Sequence, residues 1–400
     1  MFFRIALKSL FNRKGSVIMT VLAIAVAIFV LLGIENIRHQ AKDSFASTVS
    51  GVDLIVGAKT GSLNLLLYSV FRMGAPTDNI GWDAYQKIAK DKDIAWAIPI
   101  SLGDSHKGYR VLGTTAAYFK HFNYGNKRKL AFAGGGQFEN IFDVVLGSEV
   151  ARALNYTLGE KILLAHGVVS TSFNLHKNSP FTVVGKLAPT GTPVDQTIHI
   201  RLQGLEAMHA GGASSVGTSP ESITAFMLGL KSKMVTFRVQ KQINSYRGEP
   251  LSAILPGVAL SELWQMVGMF ENVLRLISGL VLVAAVLGLG AVLLASIRER
   301  SHEIQLLRVL GAPPYYLFLL MEAEALLISL CGMMLGTISL YLCLMAAEDA
   351  LFSKFGLHLN PNVFTADGLV IMLLVIGAAL LTAAIPSISI YSQAKAGNDL

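Results

Sequence analysis

Four apolar runs constrain this chain more than any other feature: Ser16 to Ile34, Leu276 to Ile297, Ala325 to Ala347, and Gly368 to Ile385. Each has roughly the 20 residues that a helix needs to cross the hydrocarbon core of a bilayer. Water is missing there, so each run must satisfy its peptide groups internally and is expected to be helical. Composition agrees, since 52% of the 400 residues are hydrophobic and only 15% are charged, against about 25% charged in soluble domains. The runs are unevenly spaced, with residues 36–275 between the first two and short connections between the others.

The expected fold class is therefore a membrane protein with four transmembrane α-helices and a large extracytoplasmic α+β domain between helices 1 and 2. The boundaries read as an amphipathic interface helix at 1–14, the first span at 15–35, the external domain with its stalk helices at 36–275, and the second span at 276–297. A connection at 298–314, the third span at 315–347, an outer loop at 348–367, the fourth span at 368–387 and a tail at 388–400 follow. The first run is longer than the ~7–15 residues of a signal-peptide core and leaves through Glu35-Asn36-Ile37-Arg38, so it reads as an uncleaved anchor. Before it, Phe3, Leu7, Leu10 and Phe11 oppose Arg4 and Lys8, a pattern suited to the membrane interface.

Basic residues set the orientation. Arg4, Lys8, Arg13 and Lys14 precede the first span, and Arg298, Arg300 and Arg308 lie between the second and third. The loop before the fourth carries Lys354 against Glu348 and Asp349. The positive-inside rule puts both termini and the 298–313 segment in the cytoplasm of a multi-pass membrane protein. Lipid is thus a partner. The net charge of +7 does not imply nucleic acid, because the basic residues are scattered or sit at membrane borders. Both cysteines, Cys331 and Cys343, fall in the third span, which excludes a disulfide or cysteine-held zinc in the external domain.

In that domain, strands are expected at Val52–Val56, Ile94–Ser101, Tyr109–Gly113, Val144–Leu146, Lys161–Ala165, Phe181–Gly185, Thr197–Leu202 and Ile223–Gly229. Helices are expected at 82–90, 148–154, 203–209 and 231–244, and the 211–220 stretch reads as a loop between two halves.

The segment 298–313 is the most patterned of the short connections. Leu306, Leu307 and Leu310 make an apolar ridge, while Arg298, Glu299, Arg300, Glu303 and Arg308 supply charged edges. Gly311 and Pro313-Pro314 stop the helix. A loop that merely oriented the protein would need neither ridge nor stop, so the segment reads as a docking helix. Elsewhere, Gly288, Gly290, Gly332 and Gly336 give small faces for helix packing. Glu322 and Glu324 open the third span, where helix-dipole compensation accounts for them.

Signs of catalysis are few. Val56-Gly57-Ala58-Lys59-Thr60-Gly61 lacks the glycine spacing of a phosphate loop. His166, His176, His199 and His209 lack metal-ligand spacing, and Ser301-His302-Glu303, contiguous on a helix, cannot form a triad. No metal site or catalytic residue is assigned. Pro189-Thr190-Gly191-Thr192-Pro193-Val194-Asp195 reads as a rigid connection between strands.

Three places resemble one family. Arg300 to Ala312 is similar to the Arg-x-x-Glu-Ile-x-x-Leu-Arg-x-Leu-Gly-Ala element of permeases of the MacB/FtsX superfamily of ABC transporters. Glu324-Ala325-Leu326-Leu327 with Gly332 and Gly336 resembles the start of that family's third span. Gly136-Gln137-Phe138, Val144-Val145-Leu146-Gly147-Ser148-Glu149-Val150-Ala151 and Leu158-Gly159-Glu160-Lys161-Ile162 resemble its periplasmic core domain. The tail departs from the family's basic one, carrying Lys395 alone.

The resemblance implies a non-catalytic permease, in a bacterial inner membrane, working by mechanotransmission. A separate ATPase would hold ATP and Mg, no cofactor being bound by this chain. The permease would pair as a homodimer, with a periplasmic adaptor as a further candidate partner, and would export or extract an amphipathic substrate. Arg300, Glu303, Leu307, Arg308, Leu310, Gly311 and Ala312 would form the ATPase-coupling helix by motif; Arg298, Glu299 and Leu306 join it by position. The alternative is an FtsX-like regulator that activates an extracytoplasmic partner such as a cell-wall hydrolase. An ion-coupled carrier would need broken helices or inverted repeats, which the sequence does not show.

Orientation is directly testable. With Cys331 and Cys343 replaced by serine, a Ser301→Cys thiol should resist an impermeant reagent in intact cells and react once the membrane is opened. Labelling in intact cells would reverse the topology.

Overall fold

Leu54, Ile55 and Val56 are all fully buried, although successive residues of a strand point to opposite faces. Their sheet must therefore be covered on both sides. The computed structural model describes residues 14–48, 50–125, 127–166, 179–209, 220–299, 314–355 and 365–396. These form two compact units: a helical one within 1–40, 268–349 and 359–400, and a sheet unit within 41–267 and 350–358.

In chain order the elements are α1 (Lys14–Thr48), β1 (Leu54–Ala58), α2 (Ser62–Ser69), β2 (Ile80–Gly81), α3 (Trp82–Ala89), β3 (Ile94–His106), β4 (Tyr109–Thr114), α4 (Ala117–His121), β5 (Asn123–Tyr124), β6 (Arg128–Lys129), β7 (Phe132–Gly135) and β8 (Asp143–Leu146). Next come α5 (Ser148–Ala153), β9 (Lys161–Ile162), β10 (Ala165–His166), β11 (Phe181–Leu187), β12 (Thr197–Arg201), α6 (Leu202–His209), β13 (Ser222–Ile223) and β14 (Ala225–Leu230). The chain closes with α7 (Thr236–Asn244), β15 (Leu251–Ile254), α8 (Pro256–Glu299), α9 (Pro314–Phe355) and α10 (Ala366–Ala396).

The main sheet runs β15-β1-β14-β3-β4-β12-β8-β11-β7, with β10 added to β3 and β9 to β11. It is mixed: β4–β12 and β8–β11 are parallel and the other pairs antiparallel. Leu54, Val56, Val144, Leu146, Phe226 and Leu228 face one core, where Ala84 and Ile88 of α3 and Val239 and Ile243 of α7 cover them. Ile55, Val145, Ala225 and Met227 face the other, under Leu65, Leu66 and Tyr68 of α2 and Tyr118 and Phe119 of α4. Strands covered on both faces lose the polar alternation of a half-exposed sheet.

Most expected strands and helices are present with shifted ends. The expected strand Lys161–Ala165 is two short strands, β9 on β11 and β10 on β3, and α2, α4, β2, β5, β6, β7 and β15 were not expected. The two halves expected on either side of 211–220 are one sheet. Strand β14 follows that stretch yet inserts between β1 and β3. Strand β3 joins both sides, pairing with β14 over Ile94–Ile100 and with β4 from Ser101, with a register shift between Leu102 and Ser105.

Among the described residues, Lys14–Gln40, Pro256–Val292 and Phe318–Ala347 are long and apolar enough to cross a membrane, while Gly368–Ala384 is a shorter apolar helix. Contacts give the helix directions. Positions 24, 28 and 33 of α1 meet 332, 336 and 340 of α9 in the same order, so these two helices run parallel. Glu35 and Arg38 of α1 meet Arg275 and Glu271 of α8 in reverse order, so α1 and α8 run antiparallel. The expected interface helix lies outside the described residues except for Lys14.

One ionisable group is locked inside the sheet unit. His199 on β12 is fully buried beside Tyr118 and Phe119, at ring-centroid distances of 5.2 and 5.9 Å. Burial lowers its pKa to about 3, the Arg72 charge adds to that, and the Val145 backbone, which falls short of hydrogen-bond geometry, opposes it. The folded imidazole is thus neutral where the unfolded one, near pKa 6.5, takes up a proton. Stability from this residue is complete above pH ~6.5 and falls by about 1.4 kcal/mol per unit as pH drops below that towards 3. Measured by unfolding midpoints between pH 7 and 5, the His199→Leu variant should show a slope shallower by about that amount.

Candidate functional site

Arg298 and Glu299 are the last two residues of α8, and α9 begins at Pro314. The remaining predicted coupling residues, Arg300, Glu303, Leu306, Leu307, Arg308, Leu310, Gly311 and Ala312, lie outside the described residues. The structure therefore fixes the two ends of this connection: an apolar helix delivers the chain to it and another takes the chain away.

The predicted packing glycines divide. A Cβ on Gly332 would stand 2.8 Å from Ile24 Cβ and 3.1 Å from Val21 O; on Gly336 it would stand 2.6 Å from Ala25 O and 3.0 Å from Ile28 Cβ. Ile24, Ile28 and Leu32 form the buried stripe of α1 that receives this glycine face. Without a hydrophobic force between helices in lipid, backbone contact of this kind supplies the attraction, and only a missing side chain permits it. Gly288 differs, since no described residue lies within 4 Å of its would-be Cβ; on α8 it is Gly290 that packs, 2.8 Å from Thr382 Cγ2 of α10.

The same unit holds a charge cluster that sequence reasoning passed over. Glu35 pairs with Arg275 at 3.1 Å and with Arg38 at 3.3 Å, and Arg38 reaches Glu271 at 3.4 Å. Glu35 is 8% exposed, so two arginines converge on a carboxylate largely removed from water. These charges edge a cavity of about 410 Å³ whose walls include Leu31, Ile34, Ser278, Val370 and Ile371. A signal did exist in the sequence: Glu35 and Arg38 at i, i+3 and Glu271 and Arg275 at i, i+4 each mark the end of an apolar run. Only the antiparallel packing of α1 on α8 shows that the two pairs face each other.

The weaker sequence candidates have structural explanations. Gly57 and Ala58 belong to β1, hydrogen-bonded between β14 and β15, and Lys59 N donates to Pro250 O at 3.0 Å, so these amides are spent on the sheet rather than on a phosphate. Asp195 closes the 189–195 connection by accepting from Thr190 N at 2.9 Å and Gly191 N at 2.7 Å. Gly147 lies against that connection; a Cβ there would stand 2.4 Å from Val194 O and Asp195 O. Glu324 is buried in α9, and no cluster of metal-ligating side chains occurs among the described residues.

Residues 17–246 match the family model of the MacB-like periplasmic core domain, and residues 275–394 match that of the FtsX-like permease C-terminal region. No curated protein matches the chain. Among solved structures, the chain is similar to the periplasmic region of MacB from Actinobacillus actinomycetemcomitans, at 13% identity and a TM-score of 0.36, over 57% of this chain and 96% of that one. It is also similar to the extracellular domain of the noncanonic ABC-type transporter YknZ from Gram-positive bacteria, at 11% identity and a TM-score of 0.32, over 51% of this chain and 98% of that one.

The glycine geometry has a measurable consequence. Gly336→Val should lower the thermal unfolding midpoint of the detergent-solubilised protein, by an overpacking cost of about 1–3 kcal/mol, while Gly288→Ala leaves the midpoint unchanged. Equal effects of the two would remove the distinction drawn between them.

Proposed function

The chain belongs to the MacB/FtsX-type family of ABC transporter permeases, and from that premise we propose that it is the membrane subunit of a transporter driven by a separate cytoplasmic ATPase. Membership makes it a multi-pass transporter component. The particular mechanism is our reading. In it, ATP and Mg are held by the companion subunit, which grips the 298–313 segment and pushes on α8 and α9. Motion then passes along α1 and α8 by mechanotransmission. Four spans are read here, with both termini in the cytoplasm of a bacterial inner membrane. The parallel course of α1 and α9 and the antiparallel course of α1 and α8 support this alternation.

The observation that carries the reading is the FtsX-like match over 275–394, which runs across the whole predicted coupling segment. Arg298, Glu299, Arg300, Glu303, Leu306, Leu307, Arg308, Leu310, Gly311 and Ala312 are assigned to that contact. Their mix of apolar ridge and charged edge suits a groove on another protein, since a few buried apolar anchors dominate interface energy. An amphipathic cargo, exported or extracted, is supported by the cavity of the helical unit, with Leu31, Ile34, Val370 and Ile371 as apolar wall and Glu35, Arg38 and Arg275 as charged edge. A second permease copy, lipid and a periplasmic adaptor complete the proposed assembly.

The test is a pair of variants. Leu307→Asp or Glu303→Lys should abolish ATP-driven transport and capture of the ATPase, while the protein stays in the membrane at normal levels. Transport at wild-type rate by both variants would refute the assignment.

A further inference from the structure

We propose that Arg72 and Arg110 form a binding site for an oxyanion, a carboxylate or phosphate group, on the turn that follows α2 in the sheet unit. This site is separate from the coupling segment and the charge cluster, and does not rest on the transport reading.

The turn is built to hold two guanidinium groups together. After Ser69 the chain bends back through Arg72, whose φ of 59° lies in the left-handed region usually left to glycine. Met73 N donates back to Leu67 O at 3.1 Å and secures that bend. Arg72 donates through Nη1 to Ser69 O, and Arg110 of β4 donates through Nη2 to Gly74 O at 2.7 Å. Both cations are thus anchored on the same turn, 69–74. A non-glycine residue in this conformation, on a turn that accepts from two arginines, fits the tendency of strained backbone to collect at binding sites.

Charge balance gives the second argument. Among the described residues neither arginine has a carboxylate at ion-pair distance. Arg72 Nε and Tyr118 Oη are both buried, and the two side chains lie near enough to interact, yet neither atom meets the geometry of a hydrogen bond. Burial is the main influence lowering the Arg72 pKa; the Arg110 charge adds to it while Tyr118 opposes it. The fully buried His199 lies on the same face and is neutral, so it supplies no compensating anion. Two like charges held on one turn, one in a poorly solvated place, are costly unless an anion shares them. A carboxylate or phosphate offers two or more oxygens to two planar forks of donors, the geometry in which arginine binds most strongly. Met73, 56% exposed on the same turn, gives an apolar neighbour for the rest of an organic anion.

Thermal unfolding of the full-length protein in detergent tests the site, with inorganic phosphate or acetate exchanged for chloride at constant ionic strength. The midpoint should rise saturably with at least one of the two anions, and the one that saturates identifies the group bound. Arg110→Met, on a partly exposed side chain, should fold as the parent does and weaken the apparent affinity by about tenfold or more. Arg110→Lys, keeping charge but losing the fork, should fall between them. No saturable rise with either anion, or the same rise in Arg110→Met, would overturn the proposal.

Discussion

Peptide groups in hydrocarbon have no water to bond with, and the architecture of the helical unit follows from that deprivation. Even its hydroxyls turn back on their own helices. Ser278, Ser329, Thr337 and Thr382 each donate to the carbonyl four residues earlier, at 2.8–2.9 Å. With these hydroxyls satisfied inside each helix, attraction between the apolar faces must come from close contact. Gly332 and Gly336 against the Ile24–Ile28 stripe supply it for α1 and α9. Here the absence of a side chain is the stabilising feature.

Charge is dealt with differently. Glu35, Arg38, Glu271 and Arg275 lie at the ends of the apolar runs, where each finds a partner on the facing helix. Such pairs contribute little when solvated and matter more as water is withdrawn. Glu35, nearly buried and holding two arginines, is the member whose loss would strand like charges together. The cluster therefore sets the register of α1 on α8 more sharply than the surrounding leucines and isoleucines could.

In the sheet unit the organising element is β3. Its first half pairs with β14 and its second with β4, so a strand of 13 residues carries the ladder from one side of the sheet to the other. Because both faces are covered by helices, the two cores remain separate, and polar groups caught between layers are unusually confined. His199 is one such group; Arg72, on the turn after α2, is also poorly solvated. The first adjusts by remaining neutral; the second cannot, since a guanidinium keeps its proton.

Much of this organisation was legible in the sequence. Apolar length declared the long spans. Strands such as Tyr109–Thr114 and Phe181–Leu187 showed themselves by β-branched and aromatic content. The helix α2 did not, because Leu63, Leu65, Leu66 and Leu67 leave no polar face for periodicity to reveal. Short motifs sufficed for the family, since the chain's matches to both family models overlie the residues that carried the resemblance. The tertiary structure alone decided which small residues touch: Gly332, Gly336 and Gly290 meet neighbours while Gly288 does not, although all look alike in sequence. It alone placed β14 between β1 and β3, brought Glu35 to Arg275, and set Arg110 on the turn that bears Arg72. The reason is physical: spans, strands and charge bias arise from local composition, whereas contacts between residues distant in the chain depend on how whole elements pack.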